Sequence, residues 1–140
     1  MFPKHLLLTS MEENVLIDSS FLIERLRKGV DPFAELAAKD DRYEFHTCGV
    51  VVAEVCRGIT SRRLYERARE NFAVMCWVPT DDAVWEEVTE LAWTLARIGV
   101  TMQVTDMVIA VSALSVDAEV WTFDSDFHYV PDLRVVNPSK

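Results

Sequence analysis

The chain has 140 residues, of which 50% are apolar and 26% are charged. This length and composition predict one compact domain with a hydrophobic core, and they exclude both a two-domain protein and a disordered chain. The formal net charge of −9 excludes recruitment of a polyanion by bulk electrostatics, so any nucleic-acid contact must come from a local basic patch.

Short apolar runs alternate with longer segments of helical periodicity, which is typical of a parallel sheet covered by helices on both faces. Strands are predicted at residues 14–18, 44–48, 75–78, 119–122 and 134–136. Helices are predicted at residues 21–27, after an N-cap at Asp31, at 49–58, at 61–72, from an N-cap at Thr80 to Gly99, and at 106–114. The expected fold class is therefore α/β, with a single domain at residues 14–138 and an N-terminal extension at residues 1–13.

The three cysteines, Cys48, Cys56 and Cys76, form no CxxC pair and lie in apolar surroundings. We therefore expect buried free thiols in a reducing compartment. The apolar run at residues 6–8 is far shorter than the core of a signal peptide, and no run approaches the length of a membrane span. A cytoplasmic protein with no membrane partner is the resulting expectation.

Four acids occupy comparable positions relative to these elements. Asp18 ends the first strand, Glu54 lies early in the helix after the second strand, Asp106 opens the apolar helix, and Asp124 follows the fourth strand. Parallel sheets bind ligands in the crevice beyond the carboxyl ends of their strands, so these side chains are placed to converge. Two carboxylates about 4 Å apart repel by roughly 4 kcal/mol at an effective dielectric of 20. Such a cluster predicts a compensating divalent cation.

The donor set indicates which cation the cluster would bind. Ligands that are all carboxylate oxygens suit Mg²⁺ or Mn²⁺. Zn²⁺ usually brings His or Cys ligands, and the three histidines, His5, His46 and His128, show no ligand spacing.

Each acid also has a purely structural interpretation. The acids of the first strand and of the apolar helix suit a turn and a helix start, where Asp is common. Glu54 lies in a segment with every sign of burial, and its alternative role is an ion pair with Arg57. The alternative for Asp124 and Asp126 is a local Asx-turn.

Four segments resemble the acidic motifs of PIN domains and occur in the same order. They read NVLIDSSFLI at residues 14–23, VVVAEV at 50–55, TDMVIA at 105–110 and TFDSDF at 122–127. The resemblance covers residues 14–138. In size and compactness the chain looks most like the VapC-type toxins of bacterial toxin/antitoxin modules.

The resemblance implies a three-layer fold with a five-stranded parallel sheet in the order 3-2-1-4-5. It implies a metal-dependent endoribonuclease that cleaves RNA phosphodiester bonds with a water activated by Mg²⁺ or Mn²⁺. It also implies an antitoxin that lies in a groove between helices, and a homodimer. Ser19 and Thr122 would orient carboxylates or bound water. By position the acidic quartet, which would be both catalytic and metal-binding, is Asp18, Glu54, Asp106 and Asp124, with Asp126 as the alternate or additional acid.

A basic stretch lies next to the second acidic motif. Five arginines fall within residues 57–69 and are opposed by Glu66 alone. One interpretation is a face that contacts RNA phosphates or an antitoxin; the other is a solvated helix surface in which an arginine pairs with Glu66 four residues on. The arginines are Arg57, Arg62, Arg63, Arg67 and Arg69.

Trp77, Trp85 and Trp93 have two interpretations as well. Tryptophans of this kind are usually core or partly buried packing residues, and the alternative is a dimer or antitoxin interface. For the whole chain, the alternative function is a catalytically silent PIN scaffold that binds RNA or a protein. The four intact acids disfavour it.

Overall fold

The computed structural model describes residues 12–138, over which strands and helices alternate. The strands are β1 (Glu13–Ile17), β2 (Tyr43–Thr47), β3 (Cys76–Trp77), β4 (Glu119–Trp121) and β5 (Val135–Val136). The helices are α1 (Ser19–Arg27), α2 (Pro32–Ala37), α3 (Gly49–Arg57), α4 (Arg62–Ala73), α5 (Asp82–Arg97) and α6 (Val104–Ser115), and a 3₁₀ helix spans Ser125–Tyr129. The predicted extension at residues 1–13 falls almost wholly outside the described residues, so it stays a prediction.

All five strands pair in parallel, and their order is β3-β2-β1-β4-β5. This confirms the predicted fold class and strand order. β1 is central, and Leu16 pairs with His46 on one side and with Val120 on the other. The pairing of β1 with β4 continues one residue past the end of β1, because the Asp18 amide donates a 3.0 Å hydrogen bond to the Trp121 carbonyl at the end of β4. The residues that follow these two strands therefore lie side by side.

The core forms where apolar runs of the sheet and of α6 meet. Val15, Leu16 and Ile17 of β1 are buried, as is every residue of α6 from Met107 to Ala113. Burial of one such aliphatic side chain contributes roughly 1.5–3 kcal/mol. The central strand is thereby buried on both faces up to its carboxyl end.

An aromatic cluster packs on one face of the sheet. The Trp121 ring lies edge-on to Phe21, Tyr43 and Phe45, with centroid distances of 6.3, 5.1 and 5.7 Å. Tyr43 and Phe45 are two residues apart on β2 and so point to the same face. Glu44 and His46 consequently point to the opposite face.

The start of α5 differs from the prediction by one residue. Asp81, and not Thr80, is the N-cap, and its side chain accepts a hydrogen bond from the Val84 amide at 3.1 Å. Both residue types are good N-caps, and the ionised carboxylate of Asp81 also interacts favourably with the helix dipole. Gly99 follows the helix with a φ of 77°, a left-handed conformation that glycine adopts without strain.

Two other helices begin earlier than predicted. α1 begins at Ser19 directly after Asp18, and α6 begins at Val104, so Asp106 is its third residue and not its first.

Among residues 12–138, no helix has the length and apolarity that crossing a bilayer requires.

The three cysteines are free, as predicted, but their burial differs. Cys48 is buried, Cys56 is half-buried and Cys76 is exposed. The expectation of a buried thiol is therefore wrong for Cys76. The reason is that β3 is a two-residue strand at the sheet edge, and both of its side chains are exposed.

The tryptophans also differ from the prediction of a core position. Trp77, Trp85 and Trp93 are 47, 46 and 61% exposed. The buried stripe of α5 is formed by Val84, Val88 and Leu95, and the two tryptophans of this helix lie off that stripe. Their interpretation as interface residues stays open.

Candidate active site

Asp18 lies at the carboxyl end of the central strand and is 2% exposed. Its Oδ2 accepts two hydrogen bonds, from Thr122 Oγ1 at 2.7 Å and from Ser20 Oγ at 2.7 Å. Its Oδ1 is also buried, yet it has no hydrogen-bond partner within residues 12–138. A buried carboxylate oxygen without a partner is costly, so this atom is placed to receive a cation.

The two hydroxyl groups that hold Asp18 are themselves oriented by the backbone. Thr122 Oγ1 accepts from the Asp124 amide at 2.9 Å, and Ser20 Oγ accepts from the Phe123 amide at 3.1 Å. Each hydroxyl therefore receives one backbone proton and directs its own proton to Asp18. Thr122 was predicted to orient a carboxylate. Ser20 was not, although its position two residues after Asp18, in the first turn of α1, is a signal that could have identified it.

Glu54 lies on α3 and is half-buried. Its Oε1 accepts a 3.1 Å hydrogen bond from Ser19 Oγ. No ion pair joins Glu54 to Arg57 in the described part of the chain. Ser19 thus orients a carboxylate, as the resemblance implies, and that carboxylate belongs to Glu54 and not to the neighbouring Asp18.

Asp124 is the N-cap of the 3₁₀ helix. Its Oδ1 accepts a 2.9 Å hydrogen bond from the Asp126 amide, which is the local turn considered as the structural interpretation of this acid. Both carboxylates are half-buried. A capping role for one oxygen and a ligand role for the other are compatible, because a carboxylate carries two oxygens.

Asp106 is the point at which the acids converge. Its pKa is raised from the ordinary value of 3.8 to about 7, first because it is partly buried and then because of the negative charges of Asp18, Asp124, Glu54 and Asp126, in that order. Side chains from three other segments of the chain therefore lie within electrostatic reach of Asp106. All five predicted acids belong to this one acidic cluster.

The acidic cluster fits a hard divalent cation. It presents carboxylate oxygens, includes one buried oxygen without a partner, and raises the pKa of one of its members, Asp106, first through partial burial and then through repulsion by the other acids. A cation relieves each of these costs at once. The residues that could hold Mg²⁺ or Mn²⁺ are Asp18, Glu54, Asp106, Asp124 and Asp126.

Two of the predicted RNA-contacting arginines are engaged in surface ion pairs. Arg62 pairs with Glu66 at 3.0 Å, as the solvated-surface interpretation expects, and Arg67 pairs with Asp31 at 3.4 Å. Exposed pairs of this kind contribute about 0–1 kcal/mol, so they exchange readily for other anions. Arg63 is exposed on α4 and Arg57 on α3.

A groove runs from the acidic cluster between α1, α3 and the start of α4. Its walls are mostly apolar, the charged residues that line it are Arg27, Glu54 and Arg57, and Leu64 is 52% exposed. The cavity volume is about 450 Å³. Residues that line it include Ile23, Leu26, Glu54, Val55, Arg57 and Leu64.

The family model described as the PIN domain matches residues 15–133, and the chain belongs to the PIN-domain family. Among solved structures, its fold is similar to VapC-type toxins in complex with their antitoxins. By sequence alone, no curated protein matches the chain.

Three structures illustrate the likeness. VapBC2 from Rickettsia felis, bound to a promoter DNA fragment, has a TM-score of 0.75 at 17% identity, covering 90% of this chain and 99% of that one. DNA-bound VapBC from Salmonella typhimurium has a TM-score of 0.73 at 18% identity, covering 89% and 97%. VapC20 from Mycobacterium tuberculosis, a toxin that cleaves the sarcin-ricin loop, has a TM-score of 0.62 at 18% identity, covering 89% and 99%. At these identities the likeness concerns the fold.

Proposed function

We propose that this protein is a divalent-metal-dependent endoribonuclease and the toxin of a toxin/antitoxin module. The observation that carries the proposal is the acidic cluster, in which Asp18 keeps one buried carboxylate oxygen without a partner at the carboxyl end of the central strand. Membership of the PIN family and the fold shared with VapC20 support it. Such a toxin would act in the cytoplasm, where its RNA substrates are.

The roles of the residues follow from their contacts. Asp18, Asp106 and Asp124 would hold Mg²⁺ or Mn²⁺, with Glu54 and Asp126 completing the set. When bound, the cation supplies an acidified water for attack on phosphorus and positive charge for the phosphate oxygens. No side-chain nucleophile is then required.

The hydroxyl groups would hold the carboxylates in their binding orientations. Ser20 and Thr122 both donate to one oxygen of Asp18, which fixes the carboxylate plane and leaves the other oxygen directed away from them. Ser19 does the same for Glu54. Fixed ligands lower the reorganisation that cation binding requires.

The groove beside Glu54 is the proposed antitoxin site. Its apolar walls suit an amphipathic peptide segment, and Arg57 at its end would pair with an acidic residue of that segment. The similar VapBC structures, which contain both toxin and antitoxin, support this partner. A segment bound there would lie against Glu54 and block the acidic cluster.

We also propose a homodimer through α5. Trp85 and Trp93 are exposed on this helix, and exposed tryptophans are enriched at interfaces. Analytical ultracentrifugation would test this: the wild type should sediment as a dimer and Trp93→Ser should shift toward monomer, whereas Trp77→Ser, on β3, should remain dimeric.

The central experiment is cleavage of a mixed RNA pool that includes transfer RNA, with EDTA, Mg²⁺ or Mn²⁺. The wild type should cut RNA only with metal, and Asp18→Asn and Asp106→Asn should lower the rate at least about 100-fold. Asp132→Asn is the matched control, because Asp132 is exposed and its φ of 66° suits Asn. Single-stranded DNA in parallel reactions tests whether the activity is specific for RNA. Identical behaviour of all variants with every metal would contradict the proposal and favour the silent scaffold.

A further inference from the structure

A second group of potential metal ligands lies away from the acidic cluster. Glu44 and His46 are two residues apart on β2 and share one face of the sheet, and Cys76 pairs with His46 in the parallel register of β2 and β3. One ligand atom from each of the three lies within 4.8 Å of the other two. We call these residues the Glu-His-Cys trio.

His46 provides an independent indication that something binds there. The residue is 6% exposed, and its Nε2 is a buried polar atom with no hydrogen-bond partner among the described residues. The nearest acceptor, Glu44 Oε1, lies 3.3 Å away but not in hydrogen-bonding geometry. A buried imidazole nitrogen without a partner is costly, and this one lies 3.3 Å from Glu44 Oε1, which belongs to the same trio.

The charge around the trio also favours a cation. Glu44 and Glu12 place negative charge beside the Cys76 thiol. Glu12, Glu44 and Cys76 line the same surface pocket, so a cation could reach them from solvent. A metal that binds the Cys76 sulfur would displace the thiol proton, which is released to solvent.

We propose that Glu44, His46 and Cys76 bind one Zn²⁺ ion, with water at the fourth position. Nitrogen, sulfur and a single carboxylate form a donor set typical of Zn²⁺, whereas Mg²⁺ takes oxygen ligands. Zn²⁺ bonds of about 2.0–2.3 Å in a tetrahedron place neighbouring ligand atoms roughly 3.3–3.8 Å apart. The exposed Cys76 and the half-buried Glu44 have the freedom to close this distance.

This zinc site is separate from the acidic cluster. Glu44 pairs with Asn14, four residues or about 13 Å before Asp18 along the strand, and His46 pairs with Leu16, two residues or about 7 Å before it. Zinc would join β2 to β3, which is only two residues long and forms the edge of the sheet. Its expected effect is therefore stabilisation of this edge.

Titration of the full-length protein with Co²⁺ as a spectroscopic substitute for Zn²⁺ tests the proposal. A phosphine reductant keeps the thiols reduced, and excess Mg²⁺ occupies the acidic cluster. The wild type should develop a thiolate-to-Co²⁺ charge-transfer band that saturates at one equivalent and disappears when Zn²⁺ is added. The band should be lost in Cys76→Ser and retained in Cys56→Ser, the matched control at another free thiol.

Thermal unfolding provides the second measurement. Zn²⁺ at about 100 times its Kd should raise the Tm of the wild type and of Cys56→Ser by about 5–10 °C, and should leave the Tm of Cys76→Ser unchanged. Cys76 is exposed, so its substitution should not prevent folding. A wild type with no charge-transfer band at saturating Co²⁺, or a band that persists in Cys76→Ser, would overturn the proposal.

The same titration in Asp18→Asn separates this inference from the proposed nuclease function. The band should be retained there, because the zinc site does not include Asp18. A Co²⁺ absorption spectrum without the thiolate band, lost in Asp18→Asn but kept in Cys76→Ser, would assign the metal to the carboxylates of the acidic cluster and contradict the zinc site. RNA cleavage by Cys76→Ser should equal that of the wild type.

Discussion

Thr122 Oγ1 donates a 2.7 Å hydrogen bond to Asp18 Oδ2, and this contact joins two residues that are 104 positions apart in the chain. It exists because β1 and β4 are neighbours in the sheet, so that the residues after them lie side by side. The same hydroxyl accepts a hydrogen bond from the Asp124 amide. One side chain thus couples the first acidic segment to the last.

Replacement of Thr122 tests this coupling. Thr122→Val keeps the shape of the side chain but leaves Asp18 Oδ2 with one donor and the Asp124 amide without its acceptor. We expect the free energy of unfolding to fall by about 1–3 kcal/mol and RNA cleavage to fall about 10–100-fold. Chemical denaturation and initial cleavage rates would measure the two effects.

The control for this variant is Thr122→Ser, which restores the hydroxyl and should recover most of the activity. Thr122→Val should also need more Mn²⁺ for half-maximal cleavage, because Asp18 is less well oriented. An unchanged Mn²⁺ requirement, together with lower stability, would mean that Thr122 supports the fold and does not position the carboxylate.

The raised pKa of Asp106 predicts how the stability of the metal-free protein depends on pH. The folded protein binds the Asp106 proton more tightly than the unfolded chain does, since its pKa is about 7 against an ordinary value of 3.8. Stability should therefore decline as pH rises from about 4 to about 7, and the loss should be complete above pH 7.

Asp106→Asn removes the negative charge of the Asp106 carboxylate and should stabilise the metal-free protein at pH 8 by about 2 kcal/mol. This value is reduced because the side chain is partly exposed. The difference from the wild type should vanish below about pH 4, where the carboxyl is protonated in both states. Urea unfolding in EDTA at three pH values would measure it. A variant less stable than the wild type at pH 8 would refute the electrostatic account of the cluster.

The start of α5 gives a prediction about stability alone. Asp81→Ala removes the side chain that accepts from the Val84 amide, so it should lower the free energy of unfolding by about 1 kcal/mol. Thr80→Ala, one residue earlier, should change it by less than about 0.5 kcal/mol. Chemical denaturation of both variants tests which residue is the N-cap. A larger loss of stability in Thr80→Ala than in Asp81→Ala would mean that Thr80 is the N-cap.

Arg57 is predicted to contact RNA phosphate, because it lies in the groove beside Glu54. In an Asp18→Asn background, which should bind RNA without cutting it, Arg57→Ala should weaken binding and reduce the salt dependence of log Kd by about 0.7. Arg97→Ala is the control, since Arg97 stacks on Trp93 at 4.9 Å on α5. Equal salt dependence of both variants would exclude a phosphate contact at Arg57.

Much of the fold could be predicted because it depends on local patterns. The apolar run at Val15, Leu16 and Ile17 followed by Asp18 indicates a buried strand that ends in a carboxylate. Acids that come after other strands are predicted in the same way, because parallel pairing places the carboxyl ends of the strands at one edge of the sheet. The strand order came from the resemblance to PIN domains and could not be worked out from periodicity.

Other features depend on which elements become neighbours. Ser20 holds Asp18 only because the Phe123 amide, 103 residues later, orients its hydroxyl. His46 and Cys76 are 30 residues apart, and only the register of β2 with β3 brings them together. The alternation of Glu44 and His46 on one face could be read from the sequence, but their partner on the edge strand could not.

The proposed function requires that the acidic cluster binds a divalent cation and that RNA cleavage depends on this binding. The most direct test is to measure Mn²⁺ binding and RNA cleavage on the same preparations of wild type and Asp18→Asn. We predict that cleavage by the wild type rises with Mn²⁺ occupancy over the same concentration range, and that Asp18→Asn loses both. Cleavage that continues in EDTA, or an Asp18→Asn variant that cuts RNA at the wild-type rate, would contradict the account.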